Sequence, residues 1–224
     1  MPAAAPPSGS TPASTRAQRA AWCLYDFANS AFPTVIITAV YVVYFKTVVV
    51  GDARPGWSDR LWGTANALAA ALVFLTAPLL GAVADLAGRK RRFLAASAWL
   101  CILATAGLAL TGEGTLVLAM ALFSAAAVGF ESSCVFYNAF LPELVAASRI
   151  ERLSGAGWAL GYLGGLGCLL VVLPLATSRP VLVPLVVAGW FALFSIPSLA
   201  LLRDLPRPAR PPDAPSVWVL GLRR

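Results

Sequence analysis

Residues 81–92 read GAVADLAGRKRR: one acid, then a glycine, then four consecutive cations. The stretches on either side, 61–84 and 93–112, carry no charge at all. Each is long enough to cross the hydrocarbon of a bilayer, which takes about 20 predominantly apolar residues. A short charged turn between two such runs reads as the tip of a helical hairpin. Gly88 permits the tight reversal, because it adopts backbone conformations closed to other residues, and the cations keep the tip in water. On charge alone the turn is an anchor.

Working outward, four more runs have the same character. Residues 22–45 contain Asp26 as their only charge, 115–141 contain Glu131, and 153–177 and 181–202 follow. The whole chain of 224 residues is 59% hydrophobic and 12% charged. A soluble domain averages about 25% charged, so too little polar surface is available to coat a water-soluble globule. Backbone groups in lipid must be satisfied within the chain, which makes these runs helices. The expected fold is all-α: a polytopic membrane protein with six transmembrane helices. Residues 1–20 are expected to be a disordered cytoplasmic N-terminus, 21–203 the transmembrane domain, and 204–224 a Pro/Arg-rich cytoplasmic tail that begins a linker.

The net charge of +7 does not mark a nucleic-acid partner, because the cations sit in short turns between apolar runs. Their placement instead orients the chain. One side carries 13 of the Lys and Arg residues (16, 19, 89–92, 149, 152, 203, 207, 210, 223 and 224), and the other carries Lys46, Arg54, Arg60 and Arg179. Both termini are therefore expected in the cytoplasm, with a bacterial inner membrane as the site. Trp22 and Tyr25, with Tyr41 and Tyr44 at the far end of the first run, fit interfacial belts. Cys23, Cys101, Cys134 and Cys168 lack CxxC spacing and read as packing residues. The sequence holds no histidine, and neither a metal nor a cofactor is expected.

The spacing in the opening stretch says more than its charge. Gly81-x-x-x-Asp85-x-x-Gly88-Arg89-Lys90 resembles the loop 2–3 signature of the major facilitator superfamily, with Leu86 at a position often basic there. Three further segments, WCLYDFANSAFPT at 22–34, FYNAFLPEL at 136–144 and RLSGAGWALGYLGG at 152–165, resemble the "unknown major facilitator" family. That family includes the vacuolar amino-acid effluxers linked to autophagy in fungi. Its members have twelve helices in two halves. The resemblance implies that this chain supplies the N-terminal six-helix half, and that Asp85 belongs to a latch between the halves in one transport state.

Asp26, Asn29, Ser30 and Pro33 share one face of the first helix by their three- and four-residue spacing. An ionisable residue inside a span is a functional candidate, although Asp26 lies near enough to the interface to pair with an arginine instead. Glu131 stands ten residues before Leu141, roughly 15 Å along a helix, with Cys134 and Asn138 on its face. It is either a buried proton or solute site or, if the helix ends near Phe130, an interfacial carboxylate. Pro142 is expected to end or bend this helix. Gly157, Gly161 and Gly165 form a GxxxGxxxG face for close helix packing. Trp158 and Tyr162 beside it either line a solute path or pack.

The reading these features favour is a secondary transporter, or its half, moving a small polar or amino-acid-like solute by alternating access. Its expected partners are the lipid bilayer, the solute, and a second six-helix half on a separate chain or in a homodimer. One alternative is a truncated fragment that does not transport. Another is an intramembrane lipid-processing enzyme, which would need an acid cluster of the DGxxAR type or a GxSxG nucleophile that the sequence does not show.

Overall fold

The computed structural model describes residues 14–51, 55–86 and 89–204, with backbone alone at 77–79 and 81–86. Every long element among these residues is helical: α1 Arg16–Val50, α2 Trp57–Leu86, α3 Lys90–Leu110, α4 Leu116–Leu144, α5 Ala147–Ser178 and α6 Pro180–Leu201. Among the described residues, α1, α3, α4, α5 and α6 are long and apolar enough to cross a membrane by length and composition. The sixth, α2, is 30 residues long, which is about 45 Å of helix. This is an all-α membrane protein. The first helix begins at Arg16, ahead of the expected 21, because Thr15 caps it. The Thr15 hydroxyl accepts from the Gln18 N–H at 3.1 Å, and the Gln18 side chain accepts from the Thr15 N–H at 2.9 Å.

The packing order is that of a repeat. α1 packs on α5 and α6, α4 on α2 and α3, and α3 on α6. Exchanging the first three helices with the last three turns α1–α5 into α4–α2 and α1–α6 into α4–α3, and leaves α3–α6 unchanged. Since each triplet has three helices that alternate in direction across short connections, the two triplets run in opposite senses, as inverted repeats do. α1 and α4 thus hold equivalent places on either side of the local axis.

Glycines set the helix separations. A Cβ at Gly164 would overlap the carbonyl of Phe27 on α1. One at Gly165 would come within 2.5 Å of the Thr34 hydroxyl, and one at Gly157 within 2.8 Å of the Trp22 ring. On the α3–α4 side, a Cβ at Gly129 would lie 2.6 Å from the Cys101 nitrogen. In lipid, where apolar burial offers no gain between helices, such close approach is what lets van der Waals contact hold a bundle. Polar ties add to it: the Ser198 hydroxyl donates to the Ala21 carbonyl at 2.5 Å, and the Trp190 indole donates to the Phe27 carbonyl at 3.3 Å.

The aromatics of α1 do not form interfacial belts. Trp22, Tyr25, Tyr41 and Tyr44 are all buried within the protein. Trp22 stacks on Tyr137 with centroids 4.3 Å apart, and Tyr25 sits between Tyr137 and Phe191. Tyr41 and Tyr44 hydrogen-bond Thr111 at 2.9 and 2.7 Å. Partners on α4 and α6 and in the α3–α4 connection claim rings whose positions alone resembled an interface.

At the end of the bundle where α1 begins and α6 ends, Lys90 is buried. Its Nζ donates to Glu143 Oε1 at 2.6 Å and to the Ala139 carbonyl at 2.8 Å. This ties the start of α3 to the last turn of α4, where Pro142 begins the short segment Leu141–Leu144 after the regular helix ends at Asn138. The Arg91 N–H donates to Asp204 at 3.0 Å, joining α3 to the chain beyond α6. At the opposite end Lys46 pairs with Asp59 at 2.5 Å. The expected N-terminal segment up to residue 13, the tail from 205 onward and Gly88 of the loop signature lie outside the described residues.

Candidate functional site

α1 carries the site because it is not a uniform α-helix. Pro33 supplies no N–H, and the segment Phe32–Ala39 winds wider, with i→i−5 bonding. The Val40 N–H reaches the Val35 carbonyl at 2.9 Å, and the Thr38 hydroxyl reaches the Pro33 carbonyl at 2.9 Å. Such π-helical turns are common at functional positions. Here the wider turn follows directly on Asp26, Asn29 and Ser30.

Between α1, α4 and α5 lies a cavity of about 600 Å³. α1 contributes Trp22, Asp26, Asn29, Ser30, Pro33, Thr34 and Thr38 to its wall. α4 contributes Phe130, Cys134, Tyr137 and Asn138, and α5 contributes Ser154, Trp158, Gly161 and Tyr162. The three α1 candidates thus meet Asn138, Trp158 and Tyr162 in one cavity. Gly161 is what opens it: a Cβ there would stand 2.8 Å from the Ser30 hydroxyl and 3.1 Å from Asp26 Oδ2. Any side chain at 161 would cover the carboxylate.

Asp26 is the one ionisable carboxylate on this wall, and no Lys or Arg is among the described residues that line it. Asp26 forms no ion pair among the described residues, so the arginine pairing open to it is not made. The same wall holds Trp22, Tyr137, Trp158 and Tyr162, the last two meeting edge to face at 5.8 Å. The Tyr137 hydroxyl is buried and has no hydrogen-bond partner among the described residues. Buried polar atoms are ordinarily satisfied, so this oxygen is available to a bound molecule. Asn29 is buried, with its amide donating to Cys134 Sγ at 3.7 Å. A carboxylate in a wall that also holds aromatic rings and hydroxyls is chemistry suited to a cationic group.

Glu131 lies within the regular part of α4, Leu116–Asn138, so the helix does not end before it. It is exposed and is absent from the residues that line the cavity, standing one turn from Cys134, which does. Gly157 and Gly165 sit at the α1–α5 contact together with Gly161. Of the loop signature, Gly81 and Asp85 fall in the backbone of the last turns of α2, Arg89 precedes α3, and Lys90 is committed to Glu143. Trp22, Tyr137, Thr34, Thr38 and Ser154 are wall residues beyond the predicted set. Two signals pointed to some of them: the hydroxyl row Ser30, Thr34, Thr38 at intervals of four, and Tyr137 three residues after Cys134 on one face.

The described residues thus form a bundle of apolar helices around a cavity with a few polar side chains in a largely apolar wall. The chain belongs to the family described as Vacuole effluxer Atg22 like, whose profile matches residues 63–224. It is 29% identical over 195 residues to an uncharacterized MFS-type transporter, YxiO, of Bacillus subtilis (strain 168), an alignment covering 81% of this chain and 46% of that protein. The chain therefore spans less than half the length of that curated relative. No solved structure matches it.

Proposed function

We propose that this chain is the N-terminal half of a major facilitator transporter and that it binds the cationic group of a small solute at Asp26. The observation that carries this reading is the cavity wall itself: among the described residues it has one carboxylate, no cation, five aromatic side chains and a phenol without a hydrogen-bond partner. An amine or amino acid would place its ammonium group against Asp26 and the Trp22 and Tyr137 rings. A second six-helix half, from further sequence or from a second copy, would close the open side of the cavity, where Trp158 and Tyr162 are 66% and 70% exposed. Solute would cross by rocking of the halves about this midplane site. Both termini face the cytoplasm of a bacterial cell, following the distribution of Lys and Arg. Asp85 and Gly81 then lie where the two halves meet in one state.

The test is flux of radiolabelled amino acids into proteoliposomes holding this chain with a second half supplied. Uptake that disappears in Asp26→Asn supports the proposal. Absence of flux for every amine and amino acid offered contradicts it.

A further inference from the structure

A second cavity, of about 440 Å³, opens at the end of the bundle that carries the termini. It is lined by Arg19 of α1, Val145 just past α4, and Arg149, Arg152, Leu153 and Ala156 at the start of α5. The four α5 positions recur at intervals of three, one and three residues, so they share one helix face. Glu151, which points away from that face, is not among the lining residues. Three arginines thus line one space, with no acid among the described residues of its wall. Among the described residues, neither Arg149 nor Arg152 forms an ion pair.

The site is held in shape. Arg19 Nη1 donates to the Ser14 carbonyl at 2.8 Å and to the Ser14 hydroxyl at 3.1 Å, and that hydroxyl in turn donates to the Leu144 carbonyl, next to Val145. One guanidinium is therefore fixed against the opposite wall before any ligand arrives. Like charges brought together this way repel, and an anion would offset that cost. Arginine's planar fork matches the oxygens of a phosphate. The volume falls within the range of small-molecule sites, about 300–1,000 Å³, and exceeds what a bare ion requires. The floor of Val145, Leu153 and Ala156 is apolar.

We propose that this three-arginine cavity binds a phosphate group, held as the headgroup of an anionic phospholipid in the leaflet on that side. The arginines take the phosphate oxygens, and the apolar floor receives the glycerol and the top of an acyl chain. Basic pockets between transmembrane helices bind headgroups in this way.

The purified chain in mild detergent is titrated with phosphatidylglycerol or phosphatidylcholine, and bound lipid is counted by native mass spectrometry. Arg149→Gln/Arg152→Gln is compared with Arg60→Gln/Arg179→Gln, which removes two exposed charges at the opposite end. Arg149 and Arg152 are exposed and bond no other described side chain, and helix content by circular dichroism checks that the variant is folded. The wild type should retain phosphatidylglycerol about tenfold better than phosphatidylcholine, and the 149/152 variant should lose that preference while the 60/179 variant keeps it. If lipid shows no preference but inorganic phosphate gives a saturable rise in melting temperature that the 149/152 variant loses, the phosphate site stands with a soluble source. Equal behaviour of the wild type and the 149/152 variant toward both probes overturns it, as does an equal loss in the 60/179 variant.

Discussion

Trp22 lies flat on Tyr137, with ring planes 9° apart and centroids at 4.3 Å, and its indole N–H donates to the Tyr137 carbonyl at 3.1 Å. The pair joins α1 to α4, the two helices related by the internal repeat, and forms part of the cavity wall. Trp22→Phe keeps a ring and loses the donor, so stability should fall by about 1 kcal/mol. Trp22→Ala removes the ring as well and should cost about 3–5 kcal/mol. Unfolding in a denaturing detergent, followed by circular dichroism, separates the two. Equal losses would mean that the stack contributes little.

The glycines of α5 should differ sharply from one another. Gly164→Ala places a Cβ against the Phe27 carbonyl and forces α1 and α5 apart, at a cost of about 3 kcal/mol or more. Gly155 has nothing within 4 Å of its added Cβ, so Gly155→Ala should be neutral or stabilising by up to about 1 kcal/mol through helix propensity. Gly161→Ala should weaken solute binding more than it weakens the fold, since its Cβ meets Ser30 and Asp26. The same unfolding assay, paired with a binding titration, checks all three.

Lys90 and Glu143 form a charge pair with little solvent access, their side chains being 7% and 18% exposed. Lys90→Met removes the ammonium group from this pair and should destabilise by about 3 kcal/mol. The double variant Lys90→Met/Glu143→Leu should recover most of that loss, because removing both charges removes the desolvation cost along with the attraction. A double-mutant cycle measures the coupling. Additive single losses would show that the two residues act independently.

The parts of this molecule legible from sequence are those set by neighbours close along the chain. The uncharged runs flanking GAVADLAGRKRR become α2 and α3, and the glycine row of α5 packs closely because every fourth residue returns to one face. Asp26, Asn29 and Ser30 share a wall for the same reason. What sequence did not carry was the identity of distant partners. Trp22 and Tyr41 resembled interfacial anchors because nothing local names Tyr137 or Thr111, which are 115 and 70 residues away. Lys90 reads as part of a loop signature, and nothing local names its contact Glu143, 53 residues on. The depth of Glu131 along α4 followed from counting residues. The side of the helix it occupies depended on how α4 turns against α1 and α5, and that turned it out of the cavity wall.

The central claim is that Asp26 makes this cavity a site for a positively charged group. Trp22 and Trp158 both line it, so intrinsic fluorescence of the purified chain reports occupancy. The decisive measurement is a titration with valine, valinamide and isovalerate, which share a carbon skeleton and differ in the ammonium and carboxylate groups they carry. Valine and valinamide should bind, isovalerate should not, and Asp26→Asn should weaken the first two by at least about tenfold. Binding of isovalerate as tight as that of valinamide, or an Asp26→Asn variant that binds all three as the wild type does, would contradict the account.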